Sequence, residues 1–186
     1  LTVVYPSTPY DAKGLFLSAL ADANPVLFLE SRQIARVTGP VPEGMYQLPI
    51  GEAAIQRAGS NVTVITIGPL VHEALAAAEN LERDGISLEV IDPRSLQPLD
   101  TEKLAASARK TGRVIVAHQA VTFSGIGAEI ASQITERCFS RLRAPVVRLG
   151  APFAPSPFAP VLEAVYQPDR QAIIAATRKL MAQSKD

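Results

Sequence analysis

From residue 62 onward, short apolar runs alternate with stretches whose apolar residues recur every three or four positions. The runs Val62-Thr63-Val64-Ile65-Thr66-Ile67, Leu88-Glu89-Val90-Ile91 and Arg113-Val114-Ile115-Val116-Ala117, with a further one at 145–149, read as buried strands. Helical spacing predicts helices at about 70–84, 101–110, 126–142 and 169–182. Strands separated by helices of ten or more residues imply a mostly parallel, doubly wound α/β sheet. Such sheets place their sites beyond the carboxyl ends of the strands.

The start of the chain follows a different plan. Thr2-Val3-Val4-Tyr5 predicts a short strand, and Ser7-Thr8-Pro9-Tyr10-Asp11 supplies a cap, a proline for the first helical position and an acid for the positive dipole end. The helix runs to about Ala21, with Ala12, Leu15, Phe16, Ala19 and Leu20 as its core stripe. Val26-Leu27-Phe28-Leu29 is then expected as a second fully buried strand. One βαβ unit buries too little surface to fold alone. Residues 1–30 are therefore expected to be the end of a larger domain whose earlier part is absent. Residues 31–61, broken by Gly39, Pro40, Pro42, Gly44, Pro49, Gly51 and Gly59, are expected to be a linker, and 62–186 a second domain. Between residues 151 and 160 the prolines exclude a helix or central strand. That arm is expected to run extended, anchored by Phe153 and Phe158.

Composition narrows the function. The net charge is zero, with 18 basic and 18 acidic residues, and no basic face stands out, which argues against nucleic acid as a partner. A hydrophobic fraction of 47% against 19% charged residues indicates a buried core. No apolar run is long enough for a transmembrane helix. Cys138, the one cysteine, leaves no internal disulfide, and with two histidines no common zinc site, so a reducing compartment is expected.

Few residues offer chemistry. His118 ends a strand on the carboxyl side, where it either touches a ligand or subunit interface or is a hydrogen-bonded, partly buried imidazole. His72 falls in the first turn of a helix, where the dipole disfavours its charged form. Cys138 follows Ile126, Ile130 and Ile134 at four-residue intervals and belongs to a packed stripe. Ser124-Gly125-Ile126-Gly127 opens like a dinucleotide fingerprint but has Ile130 in place of the third glycine, so the glycines read as turn and packing residues. At the end of the first helix, the carbonyls of Ala19 and Leu20, the Asp22 carboxylate and the loop at Asn24 form an all-oxygen set suited to a hard cation, or else an ordinary solvated helix end.

Val4-Tyr5-Pro6-Ser7-Thr8-Pro9-Tyr10-Asp11-Ala12-Lys13-Gly14-Leu15, followed by Asp22-Ala23-Asn24-Pro25-Val26-Leu27-Phe28-Leu29-Glu30, resembles the beta subunit of thiamine-diphosphate-dependent 2-oxoacid dehydrogenases. The likeness continues through Tyr46-Gln47-Leu48-Pro49-Ile50-Gly51, Val90-Ile91-Asp92-Pro93-Arg94-Ser95-Leu96-Gln97-Pro98-Leu99-Asp100, Lys110-Thr111-Gly112-Arg113 and Gly125-Ile126-Gly127-Ala128-Glu129-Ile130. It implies the last βαβ piece of a pyrimidine-binding domain followed by a transketolase-like C-terminal domain. The implied activity is oxidative decarboxylation of a 2-oxoacid with acyl transfer to lipoamide, in pyruvate, branched-chain or acetoin dehydrogenases.

The resemblance implies an alpha subunit, a second beta subunit and a lipoyl acyltransferase core as partners, in a bacterial cytoplasm or mitochondrial matrix. Thiamine diphosphate with magnesium would be bound largely outside this chain. The family's catalytic histidine and cofactor-activating glutamate match positions upstream, so no catalytic or cofactor-binding residue is carried over and the chain alone is expected to be inactive. The family's structural potassium site maps to Ala19, Leu20, Asp22 and Asn24. The alternatives are a non-catalytic module for dimerisation or core docking, or another transketolase-like thiamine-diphosphate enzyme such as acetoin dehydrogenase. Two departures stand out: many members have Glu-Ala-Pro after the histidine where Gln119-Ala120-Val121 follows His118, and Ser31-Arg32-Gln33-Ile34-Ala35-Arg36 lacks the usual aromatic before its last arginine.

Overall fold

The computed structural model describes residues 1–183. Four parallel strands, β4 (Val62–Thr66), β5 (Leu88–Asp92), β7 (Val114–Val121) and β8 (Val147–Ala151), form the main sheet. β3 (Ala54–Arg57) adds antiparallel to β5, giving the order β3-β5-β4-β7-β8. Every residue of β4 and β5 is buried, as near-continuous apolar runs require when helices cover both faces. On one face α2 (Leu70–Glu82) and α6 (Arg170–Ala182) pack against Val62, Val64 and Val90. On the other, α3 (Thr101–Thr111) and α4 (Ile126–Cys138) cover Ile65, Ile91, Val114 and Val116, with Cys138 in that core. The expected doubly wound sheet is present. Its order reverses between β4 and β7, the position where such sheets open a crevice.

Local chemistry fixes the helix ends. The Asp100 carboxylate accepts the Lys103 amide at 3.1 Å and caps α3, which ends at Gly112 with φ +69. Within the core, the fully buried Glu89 is paired by the Lys110 ammonium and accepts from the Thr63 hydroxyl at 3.2 Å. Its burial is thereby matched with a charge partner and a donor.

A second sheet has the order β2-β1-β6: β1 (Thr2–Val4) lies parallel to β2 (Val26–Phe28) and antiparallel to β6 (Ser95–Gln97). Between β1 and β2 runs α1 (Pro9–Ala21), whose Thr8 cap accepts the Asp11 amide at 3.1 Å. The segment at 46–48 covers one side of α1. Tyr46 stacks on Tyr10 at 4.8 Å, and a Cβ on Gly14 would sit 2.5 Å from Leu48 Cγ. Only glycine permits that approach.

Several expectations need correction. Leu15 is buried, but Phe16 and Leu20 of the supposed core stripe are 49% and 68% exposed; Phe16 meets the edge strand β2, its ring edge-on to Phe28 at 5.5 Å. β2 is an edge strand with Leu27 exposed, not a fully buried one. The proposed linker contains β3, and the loop after β5 contains β6. α4 ends at Cys138, followed by a single 3-10 turn at Phe139–Arg141. Pro160 opens a further short helix, α5 (Pro160–Tyr166), since proline suits the first helical position. Phe158 is fully exposed and Phe153 touches Phe123 at the surface, so neither anchors the arm to a core.

Gly59 tests the seam between β3 and β4. A Cβ there would lie 2.2 Å from the Glu89 amide nitrogen, against backbone that cannot yield locally. Gly59→Ala is expected to destabilise by about 1–3 kcal/mol in urea unfolding.

Candidate functional site

At the end of β5 the chain passes from the large sheet to the small one across Pro93 and Arg94, and a buried polar cluster forms around this crossing. Ser7, after β1, donates its hydroxyl to Asp92 Oδ2 at 2.5 Å, while the Arg94 amide donates to Asp92 Oδ1 at 2.8 Å. The Arg94 guanidinium meets the Asp11 carboxylate in α1 at 3.2 Å and donates through Nε to the Glu52 carbonyl at 2.9 Å. From α2, His72 Nε2 donates to the Ser7 carbonyl at 2.7 Å. Burial pushes the Asp92 carboxyl up from 3.8 to about 7, against the lowering effect of the Ser7 and Arg94 donors; Asp11 adds to the rise and the Arg94 charge opposes it. Sequence reading assigned His72 to the first turn of α2 and missed the cluster, because Ser7 and Asp92 meet only through the fold. A signal was available in the two charges that close an apolar run at Ile91-Asp92-Pro93-Arg94.

His118 lies in a cradle of glycines. Its Nδ1 donates to the Ala120 carbonyl at 3.0 Å, and its buried Nε2 faces the start of α4 without a hydrogen-bond partner among the described residues. A Cβ on Gly127 would come within 2.2 Å of Nε2, and on Gly150 within 2.9 Å of Cε1. Gly125 and Gly127 thus serve close packing. Burial, helped by Arg148, pushes the imidazole below its ordinary pKa. Next to it, the Gln119 amide donates at 2.7 Å to both Gln33 and Gln167.

Ala19 and Leu20 lie in the last turn of α1, and Asp22 is its C-cap. Asp22 Oδ1 accepts the Asn24 amide at 2.8 Å and its Nδ2 at 3.1 Å, which closes an exposed turn and leaves Oδ2 and the Asn24 carbonyl oxygens as further possible ligands. Beside Asp22 is a hollow of about 470 Å³ lined by Ser18, Ala21 and residues 47–50. No group of three or more His, Cys, Asp or Glu side chains among the described residues could hold a metal, so a cation here would rest on carbonyls and the Asp22–Asn24 pair. No helix among those residues is long and apolar enough to cross a membrane.

A doubly wound sheet with an antiparallel edge strand places this chain in a defined class: it belongs to the family of the transketolase C-terminal domain, whose model matches residues 51–173. It is 42% identical to the beta subunit of acetoin:2,6-dichlorophenolindophenol oxidoreductase from Cupriavidus necator, over 100% of this chain and 55% of that one. Identity is 43% with the pyruvate dehydrogenase E1 component subunit beta and 45% with the 2-oxoisovalerate dehydrogenase subunit beta of Bacillus subtilis, each over 97% of this chain and 56% of the relative. The chain thus spans about half the length of the curated relatives it matches. A solved structure described as a split gene transketolase, an inactive beta4 tetramer, superposes with a TM-score of 0.77 at 27% identity, over 99% of this chain and 58% of that one.

The Asp92 environment sets a pH dependence. A carboxyl with a folded pKa near 7 and an ordinary value of 3.8 favours the protonated form in the folded state. Its stabilising contribution is full below about pH 4 and is lost as pH rises through 7. Asp92→Asn, which keeps an acceptor for the Arg94 amide and offers an NH2 to Ser7, is expected to flatten the fall in Tm between about pH 4 and 7 relative to the unsubstituted chain. Thermal melts in a pH series check this.

Proposed function

We propose that this chain forms the C-terminal portion of a beta subunit in the first, decarboxylating component of a 2-oxoacid dehydrogenase complex, working with an alpha subunit and thiamine diphosphate. The observation that carries the reading is identity of 43% and 45% to the beta subunits of pyruvate and 2-oxoisovalerate dehydrogenase over nearly the whole of this chain. In this assembly residues 1–30 join a pyrimidine-binding domain, the segment after them crosses to the transketolase C-terminal domain, whose sheet already includes β3, and the partners are the alpha subunit, a second beta subunit and the acyltransferase core. The bacterial relatives favour a cytoplasmic location.

Nothing in this chain is assigned a catalytic role. The polar cluster at Asp92 and Arg94 instead fixes the angle between the two sheets. When bound, thiamine diphosphate with magnesium would supply the electron sink for decarboxylation, held mostly by groups outside these residues. A chimera carrying these 186 residues in place of the matching half of the Bacillus subtilis pyruvate dehydrogenase beta subunit tests the reading. With its alpha subunit it is expected to retain cofactor-dependent turnover, assayed with pyruvate, 2-oxoisovalerate and acetoin. The 186-residue chain mixed with the alpha subunit alone is expected to show none. Loss of turnover in a folded, assembled chimera would refute the reading.

We further propose that the carbonyls of Ala19 and Leu20, with Asp22 and Asn24, hold a monovalent cation such as potassium. The support is the all-oxygen donor set and the free carboxylate oxygen at the negative end of α1. Potassium at a hundred times its Kd is expected to stabilise the chain by about 2.7 kcal/mol. Choline as the counter-cation should give no such gain, and Asp22→Ala should remove the potassium response in a thermal shift assay.

A further inference from the structure

Two long stretches of the chain are without acid. No Asp or Glu falls between Glu102 and Glu129 or between Glu136 and Glu163, although each stretch holds several Lys and Arg residues. In a chain of zero net charge the matching acids lie elsewhere. The fold then brings the two stretches together. The Arg143 amide donates to the Gly112 carbonyl at 2.7 Å, and a Cβ on Gly112 would sit 2.9 Å from both Arg143 Cγ and the Arg141 carbonyl oxygen. Across the same seam Cys138 Sγ reaches the Ala105 carbonyl of α3 at 3.5 Å, and Arg109 lies beside that thiol. Arg109, Arg141 and Arg143 thus gather where the end of α3 meets the turn after α4.

Neighbouring basic groups are already engaged. Lys110 pairs with the buried Glu89, Arg137 pairs with Glu102, and Arg113 donates through Nε to the Leu180 carbonyl at 3.1 Å. Arg109, Arg141 and Arg143 are exposed and make no ion pair among the described residues. Against these three stands Glu136, also exposed and without an ion pair, so a positive surplus remains. Arg109 complements the negative dipole end of α3. Arg141 ends a three-residue turn and Arg143 lies beyond it, so helix-end complementarity does not account for them. The same turn opens with Phe139, which is 77% exposed.

We propose that the surface formed by Arg109, Arg141, Arg143 and Phe139 docks an acidic protein segment carrying an apolar residue. Guanidinium groups match carboxylates in bidentate geometry, and arginine and aromatic residues are enriched where proteins meet. The three cationic heads belong to two separate segments, which suits an extended run of carboxylates better than a single small anion. Nucleic acid fits less well, because a chain of zero net charge lacks the broad positive field that gathers a phosphate backbone. The docking surface stands independently of the activity proposed above.

Fluorescence polarisation tests it, with the 186-residue chain and a fluorescein-labelled oligoglutamate that carries one central leucine. At low salt a Kd below about 100 μM is expected, rising at least about tenfold at molar salt as screening requires. Arg141→Gln with Arg143→Gln keeps the methylenes that pack on Gly112 and should raise the Kd at least about tenfold. A charge-matched pair, Arg36→Gln with Arg83→Gln, is exposed elsewhere and should leave the Kd within about twofold. Circular dichroism is expected to be unchanged in all four positions. Equal losses from the two pairs would reduce the effect to net charge and overturn the surface, as would absence of peptide binding at low salt. Tighter binding of a thymidine oligonucleotide of equal charge would overturn the protein segment in favour of nucleic acid. Peptide lacking the leucine should bind the unsubstituted chain about threefold more weakly and Phe139→Ser equally well; the same loss in both would overturn the part given to Phe139.

Discussion

Two sheets meet in this protein through a crossing so short that one side chain must satisfy most of its polar demands. β5 leaves the large sheet at Asp92 and β6 joins the small sheet at Ser95, with Arg94 between them at φ +60. A left-handed backbone at a non-glycine residue costs about 1–3 kcal/mol and persists where its surroundings over-determine it. Here they do. The Arg94 amide is held by Asp92, its carbonyl accepts the Tyr5 amide at 2.8 Å, its Nε is taken by the Glu52 carbonyl and its guanidinium by Asp11. Those partners come from β5, the loop after β1, the approach to β3 and α1, so the residue locks four separate segments at once.

The physical character of that lock is specificity more than net stability. A buried ion pair loses hydration that its mutual attraction only partly returns, yet removing one partner alone leaves an uncompensated charge. Asp11 and Arg94 side chains are 4% and 9% exposed, so neither can turn to water if the other moves. An altered angle between the sheets would strain this pair together with the Ser7–Asp92 and His72–Ser7 contacts, because the last two join elements of different sheets and Arg94 sits on the crossing between them. The dense cluster of buried polar groups therefore permits one arrangement where apolar packing alone would tolerate several.

How much of this could be read beforehand depends on the range of the interaction. β4, β5, β7 and the helices around them announce themselves by local periodicity, and Thr8, Pro9, Asp100 and Gly112 mark helix ends through bonds within a few residues. β3 and β6 escaped because they are short edge strands whose pairing partners, Val90 to Asp92 and Val3 to Val4, are distant in sequence. Phe16 and Leu20 misled for the opposite reason: their spacing is that of a core stripe, but Tyr46 and Leu48 cover α1 at Gly14 instead. Of the candidate residues, Cys138 and the glycines at 125 and 127 were readable as packing groups. The Asp92 cluster was not, since no local pattern brings Ser7 to Asp92.

The departure at Gln119 has a structural counterpart. The Gln119 Nε2 group donates to the amide oxygens of both Gln33 and Gln167. A glutamate, as in many family members, has no hydrogen to offer and would face two acceptor oxygens, so both neighbouring amides would have to rotate. The neutral amide thus ties residue 33, the end of β7 and the residue after α5 into one hydrogen-bonded chain. Gln167, the C-cap of α5, is thereby held half-buried beside the end of β7.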